Sequence, residues 1–229
     1  MASQKYIEVL RLVVAAQNGI VSDMLKNAEM KYKTIYGLSM FDLRKIAKKF
    51  YPDSKLAKEL WEKDVREFKI LSILIEDPNQ IEKEEILNRA EEFNNIELSE
   101  QAGGYLFSKL PFAKDLVMPL CHSKNEFAQS AGFILAGKLA QSDNKISNEE
   151  FAEFLKFTIL YSATASFPLQ RSISTALRLI GRKNAKLNEI SIEVTKEIAK
   201  QNTKSSKWIE EDVLFELQFY KNRFKKKEE

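Results

Sequence analysis

The sequence predicts an all-α protein, a superhelix of short helix pairs, and three observations carry that prediction. Glycine and proline are scarce, 7 and 5 residues in a chain of 229. No long stretch alternates apolar and polar residues at the two-residue period of a half-buried strand. Apolar blocks recur at roughly 40 residues, the spacing of HEAT or armadillo units, whose helix pairs each bury one face against their neighbours. The blocks do not align residue by residue. No linker rich in Gly, Ser or Pro interrupts the chain, so residues 1–229 are expected to form one domain.

Each element follows from local signals. From Tyr6 to Ala16 a helical period runs through Ile7, Leu10, Val13 and Val14, and Gly19 ends it. A second helix, Val21 to Met30, leads into an irregular stretch to Leu38. Ser39 reads as the N-cap of a helix from Met40 to Phe50, with Asp42 in its first turn, where the helix dipole favours an anion. Pro52 stops that helix. Leu56 to Trp61 is short, Val65 to Ile75 is apolar and ends at Asp77-Pro78, and Glu82 to Phe93 is charged on one side.

The chain is expected to be organised around Asn94 to Phe107. Glu97 and Glu100, three residues apart, share a helical face there. Leu98, Ala102, Tyr105 and Leu106 form the opposite stripe. Gly103 and Gly104 would let another helix approach closely, at about 1 kcal/mol each relative to Ala. Pro111 then breaks the chain before Ala113 to Met118, which Pro119 closes. Glu126 to Leu139 is the most apolar helix, Ser142 to Lys145 a turn, and Ser147 with Glu150 a capping box. Helices over Glu149 to Tyr161, Pro168 to Ile180, Leu187 to Lys200 and Lys207 to Phe224 follow, ahead of a charged tail.

Composition narrows the function. Hydrophobic residues make up 44% and charged ones 30%, with a net charge of +3, so any basic surface must be local. A single cysteine, Cys121, excludes an intramolecular disulfide and fits a reducing compartment. The first residues carry no long apolar run, and no window approaches the roughly 20 apolar residues of a membrane helix. A cytoplasmic monomer with no membrane partner is expected. His122 has no partner at ligand spacing, and no Gly-rich phosphate loop or Ser-His-Asp set is present, so no metal or cofactor is expected.

Six stretches, taken together, carry a resemblance. They are Tyr36 to Lys48; Leu60 to Glu67, with a Leu-Trp-x-x-x-x-x-Glu pattern; and Ile96 to Glu100, against Trp-Glu-Leu-Cys-Asp. The others are Gln129 to Gly132, against Arg-Arg-Ala-Ala; Leu169 to Asn184, with its Ala-Leu-Arg-x-Ile-Gly core; and Thr203 onward through Asp212. In this order and spacing, from about Tyr36 to Leu217, the set resembles the AlkD-like family of DNA alkylation repair proteins, the HEAT-like repeat glycosylases of bacteria.

The resemblance implies a C-shaped solenoid whose basic concave face holds duplex DNA through its phosphates, independent of sequence. It also implies excision of positively charged alkylated purines by an aspartate flanked by tryptophans. The carboxylate falls on Glu100, on a longer arm. The tryptophans fall on Ile96 and Thr175 and an arginine on Ser130, so the groups that would cradle a cationic base are absent. Lys138, Arg178 and Arg182 fall where the family has Lys or Arg. The spacing of Arg171, Arg178 and Arg182 independently puts them on one helical face, a stripe suited to phosphate contacts.

The chemistry explains why those departures matter. A fixed carboxylate stabilises an oxocarbenium-like sugar electrostatically. A Trp face attracts a cationic base by up to about 2 kcal/mol, and about 1.4 kcal/mol is tenfold in rate. Replacing Asp by Glu adds a methylene, and a misplacement on the order of 1 Å costs about a hundredfold. Catalysis by that route is expected to be weak or lost. Three functions stay open: an alkylpurine glycosylase using Glu100, a non-catalytic module that binds DNA shape, and a protein-interaction scaffold. For Glu97 and Glu100 a solvated helix face is equally open, and Trp61 and Trp208 read as packing.

Overall fold

Most helices begin where a short polar side chain can accept a backbone N–H that the first turn leaves free. Ser3, Asn18, Ser39, Asp53, Asn95, Asn125, Ser147 and Asn184 each do so, and Ser147 with Glu150 closes both halves of a capping box. In the computed structural model, which describes residues 2–28, 30–142 and 146–228, these caps open helices separated by short turns. The described residues contain no strand, only an isolated bridge between Thr34 and Val65. Contacts gather into two units, Met1–Ile86 with Lys109–Pro111, and Leu87–Ser108 with Phe112–Glu229.

The first unit holds α1 (Gln4–Ala15), α2 (Gly19–Asn27), α3 (Met40–Ala47), α4 (Ser54–Trp61) and α5 (Arg66–Ile75), and α6 (Lys83–Glu91) begins in it. Its core is the buried face of α5, with Phe68, Ile70, Leu71 and Leu74, packed on Leu56 and Leu60 of α4. The chain between α2 and α3 crosses this core without helical hydrogen bonds of its own, so side chains supply them. Glu67, fully buried, accepts the backbone N–H groups of Tyr36, Gly37 and Leu38. Gly37 takes a positive φ of 79°, and a Cβ there would lie 2.2 Å from the Asn18 carbonyl oxygen.

The second unit holds the end of α6, then α7 (Ile96–Gln101), α8 (Ala113–Cys121), α9 (Glu126–Gln141), α10 (Asn148–Ser162), α11 (Phe167–Gly181), α12 (Ala185–Lys200) and α13 (Lys204–Glu228). Its organising element is α9, not the stretch around Glu100. Ala128, Ala131, Gly132, Ala136, Gly137 and Ala140 are all buried along α9, and burial over so many of its faces puts most of this helix in the interior. The small residues are contact points. A Cβ on Gly132 would meet Cys121 N of α8 at 2.8 Å, and one on Gly137 would meet Ala176 of α11 at 3.3 Å.

Gly19, read as the end of the first helix, instead opens α2 behind the Asn18 cap, and two further elements differ from the sequence expectation. The stretch read as one helix to Phe107 is α7, then a π-helical turn over Ala102–Leu106 and a 3-10 turn over Phe107–Lys109. Gly103 lies in this turn, and a Cβ there would sit 2.6 Å from the Ala131 carbonyl oxygen. The anticipated close approach therefore occurs at Gly103, where the missing Cβ permits it. Pro119 does not end α8, which runs through it to Cys121. A proline so near the C-terminus forfeits one intrahelical bond, while Leu120 and Cys121 stay buried against α9. Asp143, Asn144 and Lys145 of the expected 142–145 turn lie outside the described residues.

Candidate functional site

Along α11 the apolar residues Leu169, Ile173, Ala176, Leu177 and Ile180 are buried. The remaining face carries Arg171, Thr175 and Arg178, with Arg182 at the C-cap, at intervals of four, three and four residues that form one row on a helix. Carboxylates from two other helices meet this row. Arg171 Nη2 lies 3.8 Å from Glu100 Oε1 of α7. Arg178 lies 3.7 Å from Asp212 and 3.8 Å from Glu216 of α13, and Arg182 Nε donates to Glu216. Asp212 also accepts from the buried Ser174 hydroxyl, which fixes it beside Arg178. Three guanidiniums therefore face three carboxylates, and the formal charges of the set cancel.

The arrangement has a small cavity of about 250 Å³, lined by Phe167, Arg171, Thr175, Arg178, Trp208 and Asp212. Thr175, where the resemblance put a tryptophan, donates its hydroxyl to the Arg171 carbonyl of its own helix. Ile96 is the first residue of α7 and is partly exposed. Ser130, expected beside the DNA, is instead fully buried in α9, with no partner for its hydroxyl among the described residues, so it lines no groove. Lys138 is exposed in the last turn of α9, and no hydrogen bond or ion pair joins it to the α11 row among the described residues. Of the expected set, Glu100, Arg171, Arg178, Arg182 and Thr175 come together.

Sequence reasoning gave no site role to Trp208, Asp212 or Glu216. They stand four residues apart on α13, a spacing that stacks them along one side of the helix. Trp208 was read as packing; it is partly exposed and meets Phe167 edge-to-face at 5.4 Å. Trp61, by contrast, is buried in the first unit.

Partial burial pushes the Glu100 carboxyl above its ordinary value of 4.5; Arg171 opposes the shift and Glu97 adds to it. A raised folded-state value means that the folded protein holds the proton more tightly than the unfolded chain does. This contribution to stability is full below the ordinary value and is lost as pH rises through the raised one. Glu100→Gln should therefore flatten the fall in stability from pH 4.5 upward; denaturant titrations across that range check it. An unchanged profile would mean that Glu100 does not feel this environment.

No group of three or more His, Cys, Asp and Glu among the described residues could hold a metal ion. No described helix is long and apolar enough to cross a membrane. Burial pushes the Cys121 thiol far above its ordinary value, so it is not a nucleophile in the folded state. Iodoacetamide should label Cys121 only as fast as the second unit opens, and rapid labelling of the native protein would contradict its burial against α9.

Residues 20–209 match the sequence model of a family described as DNA alkylation repair enzyme. Among solved structures the chain is similar to a protein described as belonging to a new family related to the HEAT-like repeat DNA glycosylases, with affinity for branched DNA structures. The TM-score is 0.73 at 18% identity, covering 83% of this chain and 82% of that one. That likeness is one of fold, and it makes the helix pairs a HEAT-like repeat architecture. No curated protein sequence matches the chain.

Proposed function

This chain belongs to the DNA alkylation repair enzyme family, and we propose that it serves there as a DNA-binding protein with weak or no base excision. On this reading it grips duplex and branched DNA, independent of sequence, through α11 and α13 of the second unit. The observation that carries it is the row of exposed Arg171 and partly exposed Arg178 and Arg182 on one face of α11. Such a row suits phosphate oxygens spaced along a backbone. The solved relative described as having affinity for branched DNA supports the same partner.

Weak excision follows from the residues around Glu100. Its carboxylate lies near Arg171 rather than between aromatic walls, with Ile96 and Thr175 at the positions where those walls would stand. Each missing aromatic face removes up to about 2 kcal/mol of attraction for a cationic base. The reading places the protein in the reducing cytoplasm, as a monomer and with no cofactor, and Lys138 adds a further phosphate contact.

The test is binding of intact and branched duplexes across a salt series, beside an assay for release of methylated purines. Affinity should fall with salt at a log–log slope of about −0.9 for each phosphate contacted. Arg171→Glu with Arg178→Glu should abolish most of it. Binding that is indifferent both to salt and to these substitutions would remove the reading. Purine release that depends on Glu100 would replace weak excision with a working glycosylase.

A further inference from the structure

We propose that Phe167, Trp208, Phe215 and Phe219 form an aromatic strip that stacks on unpaired bases of branched DNA, beside the α11 row that holds the phosphates. The proposal rests on the DNA-binding reading above and names the DNA feature that the same face selects.

On α13, Trp208, Phe215 and Phe219 stand seven and four residues apart. At 3.6 residues per turn the two phenylalanines lie within about 20° of the direction of Trp208. They are not core residues: Ile209, Val213 and Leu217 are fully buried and serve that purpose from the other side of α13. Phe215 is 83% exposed, Phe219 58% and Phe167 57%. Open water is a costly place for so much ring surface, and an exposed apolar cluster of this kind marks a binding surface.

Its neighbours decide what it binds. Asp212 and Glu216, one step around α13, hold Arg178 and Arg182, so the strip runs alongside the cationic row. On the other side of the Phe167–Trp208 pair lies a cavity of about 870 Å³, with Lys204 and Lys207 among its lining residues. The buried Ser205 hydroxyl, also at this cavity, has no hydrogen-bond partner among the described residues. The exposed apolar residues of α13 are rings, interspersed with Glu211, Asp212, Gln218, Asn222 and Arg223. An aliphatic protein partner would find few matching side chains there. A base with its phosphate finds ring faces here, with Lys204, Lys207 and the α11 arginines as the nearby cations and Glu211 and Asp212 between them; rings beside cations are the combination by which proteins hold single strands.

The full-length protein is titrated with an intact duplex and with a duplex carrying an unpaired segment of the same total length. Wild type should favour the unpaired segment. Combining Phe167→Ala, Phe215→Ala and Phe219→Ala should reduce that preference about tenfold. Trp208 supplies a second readout. Single-stranded oligothymidylate should quench the tryptophan fluorescence, and Trp208→Phe should abolish the quenching while buried Trp61 remains. A preference unmoved by the triple variant, or no quenching, overturns the proposal and leaves the DNA reading standing. Failure of wild type to bind either DNA ends both. A loss of self-association in the triple variant, with DNA preference intact, would assign the strip to a second copy of the chain.

Discussion

Glu67→Ala is expected to destabilise the first unit by about 3–5 kcal/mol, the cost of leaving a buried charge network without its acid. The carboxylate has no exposure and accepts the N–H groups of Tyr36 and Gly37, each at 2.9 Å, and of Leu38 at 3.2 Å. It also takes Arg66 Nη1 at 2.9 Å, and the same nitrogen donates to the Leu38 carbonyl. Alanine would strand three backbone donors and weaken the hold on a guanidinium that is itself buried. Glu67→Gln keeps one acceptor oxygen and should cost less, about 1–3 kcal/mol. Gly37→Ala attacks the same segment from the backbone side, since its Cβ would also lie 2.6 Å from Ser22 N. Urea melts followed by circular dichroism measure all three. A loss below about 1 kcal/mol for Glu67→Ala would mean that the segment does not depend on this clamp.

The clamp also shows how far the sequence could be read. Helices announced themselves because their signals are local: a cap, a period and a stop lie within a dozen residues. Ser39 and the Ser147–Glu150 box were legible for that reason. Glu67 lay at the end of the Leu-Trp-x-x-x-x-x-Glu pattern, yet nothing nearby said that its partners sit about thirty residues upstream. The close approach of Gly103 to the Ala131 carbonyl involves an atom of another element, so which of the two glycines serves it was not legible either. The arginine row on α11 was legible from spacing alone. Its carboxylate partners were not, because Arg182 and Glu216 are 34 residues apart. Nor did any local signal separate the buried phenylalanines from Phe41, Phe167, Phe215 and Phe219, which are exposed.

Neutralising the acids on α13, by Asp212→Asn with Glu216→Gln, should strengthen DNA binding and steepen its salt dependence. In the free protein Arg178 and Arg182 are engaged by these two carboxylates, so a phosphate must compete with an acid already in place. Partly exposed pairs of this kind are individually weak, at about 0–1 kcal/mol. Their loss therefore costs the fold little, and the amides keep the oxygens that Ser174 and Arg182 use as acceptors. What changes is the charge that DNA meets. Two guanidiniums become available to phosphates, and each new contact adds about 0.9 to the salt slope. The double variant should thus show a slope steeper by about one to two and tighter binding at low salt, with unchanged circular dichroism. The same logic predicts the reverse for Arg171→Glu with Arg178→Glu, so the two variants bracket the wild type. If neutralising the acids leaves both slope and affinity where they were, the α11 row does not touch the DNA backbone, and the phosphate contacts lie on another surface.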